Sequence, residues 1–302
     1  MTIFFDKDIT QNYNDPLDTN FSEQGRSQRK ISIKDMLDNF IDNYRQNELE
    51  ILIGRDSINQ EQFSNILRCL KNQDVKYFSN IPDRSDTLDI SIYKNKRANS
   101  KLKDFRITIP NALRIQEHCK SNTLRESDTK CIYQKKRLIN RVNIDDYDII
   151  INHKQESTVD RSDREMKDYL ELLRSHSNKY SLIYKTYRMK NRYSFLTKDT
   201  YVYNDKLIRL RLDITIIKQT DKPCQSFVKS GVMNKENKYE IELEFITSEK
   251  EGGDEHVIDL LEDSDKSLEN VIKSIISMKN NYPFILSKTD EDTIKKKYSA
   301  LV

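Results

Sequence analysis

The sequence predicts an α+β protein, built on a large antiparallel sheet or barrel with a few helices packed outside it. Three observations lead to this prediction. Many segments alternate apolar and polar residues with a period of two, which is typical of half-buried strands. Fewer segments repeat apolar residues at helical spacing. No linker or fixed-length repeat divides the 302 residues, so we expect one large domain.

The composition is rich in charge but nearly balanced in sign. Hydrophobic residues make up 36% and charged residues 33% of the chain. The 52 basic and 49 acidic side chains leave a net charge of only +3. This balance excludes a histone-like polycation, so binding of an anion would require charges that are segregated in space. With only 5 glycines, the sequence also argues against a Gly-dependent phosphate loop.

Neither a membrane segment nor a cysteine framework is expected. No stretch approaches eighteen apolar residues, and the first ten residues do not resemble a signal peptide, which predicts a soluble intracellular protein. The four cysteines form no C-x-x-C pair, and the four histidines are equally dispersed. This spacing argues against a disulfide framework and against a Cys/His zinc site. Any metal ligands would therefore be carboxylates.

The chain begins with an arm and then an amphipathic helix. Residues 1–30 are rich in Asn, Asp, Gln and Ser without periodicity, which predicts a disordered arm before a domain over 31–302. Ser32 is a plausible N-cap, and Asp35 three residues later completes a capping box. From Ile33 to Tyr44, apolar residues recur at helical spacing. The sequence therefore predicts that order starts at Ser32.

The remaining elements follow from periodicity. Three more helices are expected: one after Ser57, one over about 163–175 and one over about 266–279. The acidic stretch 248–265 is expected to be a surface loop. Candidate strands lie near 47–54, 74–79, 86–94, 103–109, 131–137, 147–153, 181–197, 207–218 and 238–247. Eight or nine strands of this length would use up the chain as one domain.

Four of these strands carry rows of charged residues on one face and apolar residues on the other. Side chains at i and i+2 stand about 7 Å apart on the same side of a strand. The rows are Glu48 and Glu50; Arg188, Lys190 and Arg192; Arg211, Asp213 and Thr215; and Glu240, Glu242 and Glu244.

For a single strand, a solvated face whose acids pair with bases on the next strand explains such a row. Four rows favour a different interpretation. Three glutamates in a row repel one another, and a bound cation would relieve that repulsion. Rows of acids and bases that face each other inside a closed barrel would hold a metal ion and a polyanion together, because divalent cations prefer carboxylates and phosphates prefer Arg and Lys.

In these rows and in their order, the sequence resembles the triphosphate tunnel metalloenzymes. It is most similar to the branch of metal-dependent RNA 5′-triphosphatases in the mRNA capping of fungi and large DNA viruses. The resemblance is carried by Glu48-x-Glu50, Arg188-x-Lys190-x-Arg192, Arg211-x-Asp213-x-Thr215 and Glu240-x-Glu242-x-Glu244. It extends from about residue 46 to residue 300, although only these strands match specifically.

The resemblance implies an eight-stranded antiparallel barrel with a charged interior and a role for each matching residue. Mg²⁺ or Mn²⁺ would be coordinated by Glu48, Glu50 and Glu244. Water would be held by Glu242 and Asp213, and Glu240 would pair with tunnel bases. The phosphates would be held by Arg188, Lys190 and Arg192, with Arg211 beside Asp213. Arg106 is the best match among the earlier strands, and Lys136 and Lys154 match more loosely; for these three, a solvent-facing base is an equal alternative.

Two departures from related patterns narrow the interpretation. The sister branch of thiamine-triphosphatase-like and adenylate-cyclase-like enzymes has E-x-E-x-K in its first strand, whereas Leu52 occupies the third position here. The K-x-D-G motif of a guanylyltransferase is absent from the sequence. We therefore expect either a standalone triphosphatase or the N-terminal module of a longer capping protein.

The implied function is removal of the γ-phosphate from triphosphate-ended RNA, with nucleoside triphosphates as further substrates. Guanylyltransferase and methyltransferase modules of a capping enzyme are the expected partners, and a viral protein would act in the host cytoplasm and could be carried in the virion. Three alternatives stay open: another tunnel-family phosphohydrolase acting on tripolyphosphate or nucleotides, a nucleic-acid-binding sheet without catalysis, and a capping-complex subunit with a degenerate tunnel.

Overall fold

The computed structural model describes most of the chain between residues 32 and 299. The described ranges are 32–54, 58–72, 76–93, 105–121, 131–159, 184–248, 257–261, 266–282 and 287–299, with single positions 164, 167 and 285. The predicted arm over 1–30 and nearly all of the predicted helix over 163–175 lie outside these ranges. The domain boundary at residue 31 therefore stays a prediction.

Eight strands form a closed antiparallel barrel, as the sequence predicts. The described residues form ten strands: β1 Asn47–Ile53, β2 Asp83–Tyr93, β3 Phe105–Pro110, β4 Ile132–Ile144, β5 Ile149–Thr158, β6 Tyr184–Leu196, β7 Thr200–Tyr203, β8 Lys206–Gln219, β9 Lys238–Ser248 and β10 Val257–Asp259. Around the barrel the order is β8, β6, β2, β3, β4, β5, β1 and β9, and pairing of β9 with β8 closes the ring. Strands β7 and β10 extend the sheet beside one end of β8.

Six helices lie in the described part of the chain. They are α1 Ile33–Asp42, α2 Gln60–Lys71, α3 Ala112–Ser121, α4 Phe227–Ser230, α5 Leu268–Asn280 and α6 Lys288–Ser299. The predicted capping box starts α1: the Ser32 hydroxyl accepts from the Asp35 backbone N–H, and the Asp35 carboxylate accepts from the Ser32 backbone N–H. None of these helices is long and apolar enough to cross a membrane.

The apolar faces of the strands point outward, and the helices cover them in two clusters. In the larger cluster, α1, α2 and α5 pack on β1, β5, β8 and β9. Ring contacts join helix to barrel there, with centroids 6.1 Å apart for Phe40 and Phe245 and 4.9 Å apart for Phe63 and Tyr239. In the smaller cluster, α3 and α4 pack on β2, β3 and β6. Because both cores lie outside the barrel, its interior is free to be polar.

Two of the sequence predictions are wrong in detail. Of the strand expected near 74–79, residues 74 and 75 lie outside the described ranges, and no strand forms over 76–79. There Phe78 makes only an isolated antiparallel bridge to Thr197 just beyond β6. The acidic stretch 248–265 is not a loop throughout, since β10 pairs in parallel with β7 and buries Ile258 in the larger core. The other predicted strands form within a few residues of their expected ends, except that β4 and β5 run farther toward their C-termini.

Candidate active site

A polar cavity of about 250 Å³ lies inside the barrel, where the inward-facing side chains of the strands meet. Its walls include six carboxylates and seven basic side chains and no apolar side chain among the described residues. The lining residues are Glu48, Glu50, Ser85, Thr87, Asp89, Arg106, Thr108, Gln134, Lys136, Lys154, Glu156, Arg188, Lys190, Arg192, Arg211, Glu242 and Glu244. Six acidic and seven basic side chains thus share one enclosed surface.

The acids of β1 each contact a base from a neighbouring strand. Lys136 Nζ lies 2.9 Å from Glu48 Oε2 and 2.5 Å from Glu156 Oε2, so one ammonium joins two carboxylates. Lys154 Nζ donates to Glu50. Lys154 lies opposite Glu48 in the β1–β5 register, which places this base between both acids of the strand.

Glu50 is also held by a buried amide. The Asn152 side-chain N–H group donates to Glu50 Oε1 over 2.9 Å, and Arg141 Nε donates to the Asn152 oxygen over 2.8 Å. Asn152 is only 1% exposed. The hydrogen bonds from Arg141 to Asn152 and from Asn152 to Glu50 therefore fix both the orientation of the amide and the position of one carboxylate oxygen. Burial, together with the charges of Glu242 and Glu48, raises the pKa of Glu50 in spite of Lys154.

Electrostatics differ sharply between the acids that the sequence predicts as metal ligands. Burial alone would raise the pKa of Glu48, but the ammonium groups of Lys136 and Lys154 outweigh it and hold that pKa at about 2. Burial raises the pKa of Glu244 to about 7, with the nearby Glu48 charge adding to the effect and the Arg211 guanidinium opposing it. Repulsion among the acids is therefore only partly relieved by the bases.

On β6, Lys190 sits at the centre of a second group of contacts. Its Nζ lies 2.5 Å from Asp89 Oδ2, and Arg106 Nη1 lies 3.5 Å from the same oxygen. The Thr108 hydroxyl donates to the other Asp89 oxygen over 2.8 Å. Burial lowers the pKa of Lys190 to about 8, although the Asp89 carboxylate opposes this shift.

A third group of contacts joins β6, β8 and β9. Arg192 lies 2.9 Å from Asp213 Oδ2 through one terminal nitrogen and 3.2 Å from Glu242 Oε2 through the other. Arg211 donates through Nε to Asp213 over 3.1 Å and through a terminal nitrogen to Glu244. The Asp213 side chain is fully buried and binds both guanidinium groups. Burial would raise the pKa of Glu242, but Arg192 and other bases lower it.

All but two of the predicted site residues line the cavity. The exceptions are Asp213, which lies behind Arg192 and Arg211, and Glu240, which binds Arg188. The structure brings the acids and bases together, including Arg106, Lys136 and Lys154, whose expected positions were less specific. Their roles as ligand, base or phosphate-binding group stay predictions.

The sequence analysis missed two acids of the cavity. Asp89 shares a face of β2 with Ser85 and Thr87, so no i, i+2 repeat of acids marks it. Glu156 follows Lys154 on the same face of β5, and alternation of opposite charges is also typical of an exposed strand. The register of the paired strands could have identified both acids, because Asp89 and Glu156 each lie beside a predicted base of a neighbouring strand.

The predicted metal ligands fit a hard divalent cation in chemistry and in backbone position. Glu50 and Glu244 are direct partners in the β1–β9 register, and Glu48 is two residues away on the same face. Carboxylate oxygens are the ligands that Mg²⁺ and Mn²⁺ prefer. In the described part of the chain, however, no three acidic, His or Cys side chains converge as a ready ligand set, since each of these glutamates contacts a base.

Comparison with solved structures finds similarity to two structures of a mimivirus protein. One is a triclinic structure of the mimivirus capping enzyme triphosphatase, with 20% identity and a TM-score of 0.48, covering 81% of this chain and 94% of that chain. The other is the RNA triphosphatase domain of a trifunctional mimivirus mRNA capping enzyme, with the same identity and TM-score, covering 82% and 95%.

A structure of the Schizosaccharomyces pombe Mediator head module is also similar, with 12% identity and a TM-score of 0.29, covering 80% of this chain and 98% of that chain. No protein-family model matches the chain, and no curated protein matches it in sequence.

Proposed function

We propose that this chain is a metal-dependent polynucleotide 5′-triphosphatase. It would remove the γ-phosphate from triphosphate-ended RNA as the first step of mRNA capping and would also act on nucleoside triphosphates. One observation carries the proposal: a closed barrel encloses a cavity lined by six carboxylates and seven bases. A triphosphate end is a dense polyanion, and its hydrolysis requires neutralised charge, a fixed phosphorus and a water placed in line.

The basic row of β6 supplies the phosphate contacts. Arg188, Lys190 and Arg192 alternate along one face and all line the cavity, so they can contact successive oxygens from the same side. Lys190 offers a compact charge, whereas Arg192 offers a planar pair of donors. These donors neutralise non-bridging oxygens of the γ-phosphate as the bond to the β-phosphate breaks.

Glu242 is the group best placed to orient the attacking water. It lines the cavity next to Arg192, and the bases around it lower its pKa, so it stays ionised and can accept a hydrogen bond from water. The water oxygen bonds to the γ-phosphorus, and the bridging oxygen leaves with the β-phosphate. The products are a diphosphate end and inorganic phosphate.

Mg²⁺ or Mn²⁺, held by Glu48, Glu50 and Glu244, would act as a Lewis acid toward a phosphate oxygen. Asn152 fixes one Glu50 oxygen, which reduces the rearrangement needed at that position. Asp213 binds Arg192 and Arg211 in this structure, so its contribution is to hold two guanidinium groups in place.

The charged cavity also bears on the alternatives. A sheet that binds nucleic acid by stacking would present aromatic side chains, and none of the described cavity residues is aromatic. A degenerate tunnel would lack part of the charged set, whereas each predicted acid and base is present. A tunnel phosphohydrolase acting on tripolyphosphate uses the same contacts and differs only in its substrate.

The test is phosphate release from triphosphate-ended RNA, ATP and tripolyphosphate, each with Mg²⁺ and with Mn²⁺. We expect hydrolysis of the RNA end at the highest kcat/KM and a loss of at least about 10²-fold in Glu242→Gln, which keeps the shape of the side chain. The matched control is Glu236→Gln, an exposed acid outside the barrel interior. Preference for tripolyphosphate would support the alternative substrate, and no release from any of the three would refute hydrolysis.

A further inference from the structure

The cavity is lined by carboxylates and by basic side chains, and the two kinds of group form ion pairs with each other. Each acid predicted to bind the cation contacts a base: Glu48 contacts Lys136, Glu50 contacts Lys154, and Glu244 contacts Arg211. All three bases line the same cavity and point at the space in which a polyanion would lie. The three acids predicted to bind the cation are thus paired with bases that face the anion space, whereas the bases of β6 pair with other acids.

These contacts set the energetics of binding one ion alone. A cation that took Glu48, Glu50 and Glu244 would break their three internal ion pairs. Lys136 would keep Glu156 and Arg211 would keep Asp213, but Lys154 would lose the carboxylate that it contacts. A polyanion that took those bases would leave the acids exposed to one another's repulsion. An uncompensated charge in a partly buried site is strongly destabilising. Either ion alone therefore gains its own contacts only by breaking internal ion pairs of the cavity.

The balance changes when both ions bind. The polyanion then becomes the new partner of the bases, and the cation becomes the new partner of the acids. The backbone does not have to move for this exchange, because Glu50 and Glu244 already lie opposite each other in the register of β1 and β9. We therefore expect the exchange to change side-chain torsions and to leave the backbone in place.

We propose that the cation and the polyanion bind this chain cooperatively, by exchanging the internal ion pairs of Glu48, Glu50 and Glu244, so that each ion binds weakly without the other. This inference rests on the proposed function, because it concerns the same cavity. Linkage requires the effect to be reciprocal: the factor by which the anion tightens cation binding equals the factor by which the cation tightens anion binding.

The first experiment removes one internal base and measures cation binding alone. In Lys154→Gln, Glu50 loses its competing partner, so Mn²⁺ should bind more tightly than to the wild type, by about 5-fold or more. Lys190→Gln is the matched control, because Lys190 lies in the same cavity but pairs with Asp89 instead of a predicted metal ligand. Isothermal titration calorimetry, with chloride as the only anion, gives the Mn²⁺ affinity of the wild type and of each variant. Equal tightening in both variants would reduce the effect to general charge removal and overturn the proposal.

The second experiment removes one internal acid and measures anion binding alone. In Glu50→Gln, Lys154 is released, so the imido analogue of tripolyphosphate should bind more tightly in the presence of EDTA. Glu236→Gln, which removes an exposed acid, should bind the analogue like the wild type. Unchanged affinity in Glu50→Gln would contradict the proposal.

The third experiment measures the coupling itself. The Mn²⁺ affinity is measured with and without saturating imido analogue, for the wild type and for Lys136→Gln/Lys154→Gln. Chelation of Mn²⁺ by the analogue is the same for both proteins and cancels when the two ratios are compared. We expect the wild-type ratio to exceed that of the double variant by about 5- to 150-fold. Equal ratios would overturn cooperative exchange.

These results also separate this inference from the function on which it rests. A wild-type chain that hydrolyses triphosphate ends but shows no tightening in the variants would refute the exchange and leave the proposed function intact. A chain that binds neither Mn²⁺ nor the analogue under any of these conditions would refute both.

Discussion

Lys190 shows how the barrel interior changes the chemistry of a single side chain. Burial lowers its pKa to about 8, with the neighbouring Arg188 and Arg106 charges adding to this effect and Asp89 opposing it. Below pH 8 the ammonium is charged and can bind phosphate oxygens. As pH rises through about 8, it loses its proton, and the affinity for a polyanion must fall.

This titration predicts an alkaline limb in the pH profile of hydrolysis. We expect kcat/KM of the wild type to fall above pH 8, by up to about tenfold per pH unit, because this ratio reports groups of the free enzyme. Lys190→Arg keeps its charge at every accessible pH, so its profile should stay flat between pH 8 and 10 even if its maximum is lower. An identical limb in both proteins would assign the titration to another group.

Asn152 gives a second prediction at the residue scale. Its amide orients Glu50, and groups that orient a metal ligand contribute about 10- to 100-fold to metal affinity. We expect Asn152→Ala to weaken Mn²⁺ binding by this factor in calorimetry. Asn143→Ala, which removes an exposed amide from β4, should leave it unchanged. Equal affinities for the two variants would show that Glu50 does not need the amide.

At the scale of elements, the rows of like charge were predictable because the alternation of charged and apolar residues lies within the sequence of a single strand. Glu240, Glu242 and Glu244 alternate with buried apolar residues, and such a row shows both faces of β9 without reference to any other strand. Asp89 could not be found in the same way, since its importance depends on Lys190 across the β2–β6 pair and on Arg106 and Thr108 of β3. Such contacts are set by the register, which periodicity does not supply.

The elements that the sequence analysis missed are short or weakly patterned. Strands β7 and β10 have only four and three residues, too few to establish a period of two. Helix α3 buries only Ile115 and His118, and α6 is mostly exposed, so neither carries a broad apolar stripe. The positions of β7 and β10 follow from strand pairing, and that of α3 from the contact of Ile115 with the smaller core, both of which depend on the whole fold.

Helix α1 supplies the prediction for an element. Its capping box satisfies backbone N–H groups at the start of a helix that packs on the outside of the barrel. Ser32→Ala should lower the free energy of unfolding by about 1 kcal/mol, measured by chemical denaturation. Ser64→Ala is the control, because that exposed hydroxyl only donates to the Gln60 carbonyl within α2. A change in Ser64→Ala as large as that in Ser32→Ala would contradict a special contribution from the cap.

At the scale of the molecule, the barrel has a charged interior and an apolar exterior, the opposite of a barrel with an apolar core. Its apolar residues face outward onto helices, and its charges face inward, where acids and bases are paired. The pairing explains how a chain with a net charge of +3 can enclose so many charges. It also means that the interior contributes little apolar stabilisation, so ions that bind there can change the stability of the fold measurably.

Binding of a cation should therefore raise the melting temperature of the whole barrel. At a free Mn²⁺ concentration of 100 times Kd, linkage adds about 2.7 kcal/mol, since the unfolded chain has no comparable site. The rise should disappear in Glu48→Gln/Glu244→Gln, which removes ligands from β1 and β9 together. It should persist in Glu61→Gln/Glu236→Gln, which removes the same number of charges from exposed positions. Calorimetric melts with Mn²⁺ and with EDTA make the comparison, and equal shifts in both double variants would place the cation outside the barrel.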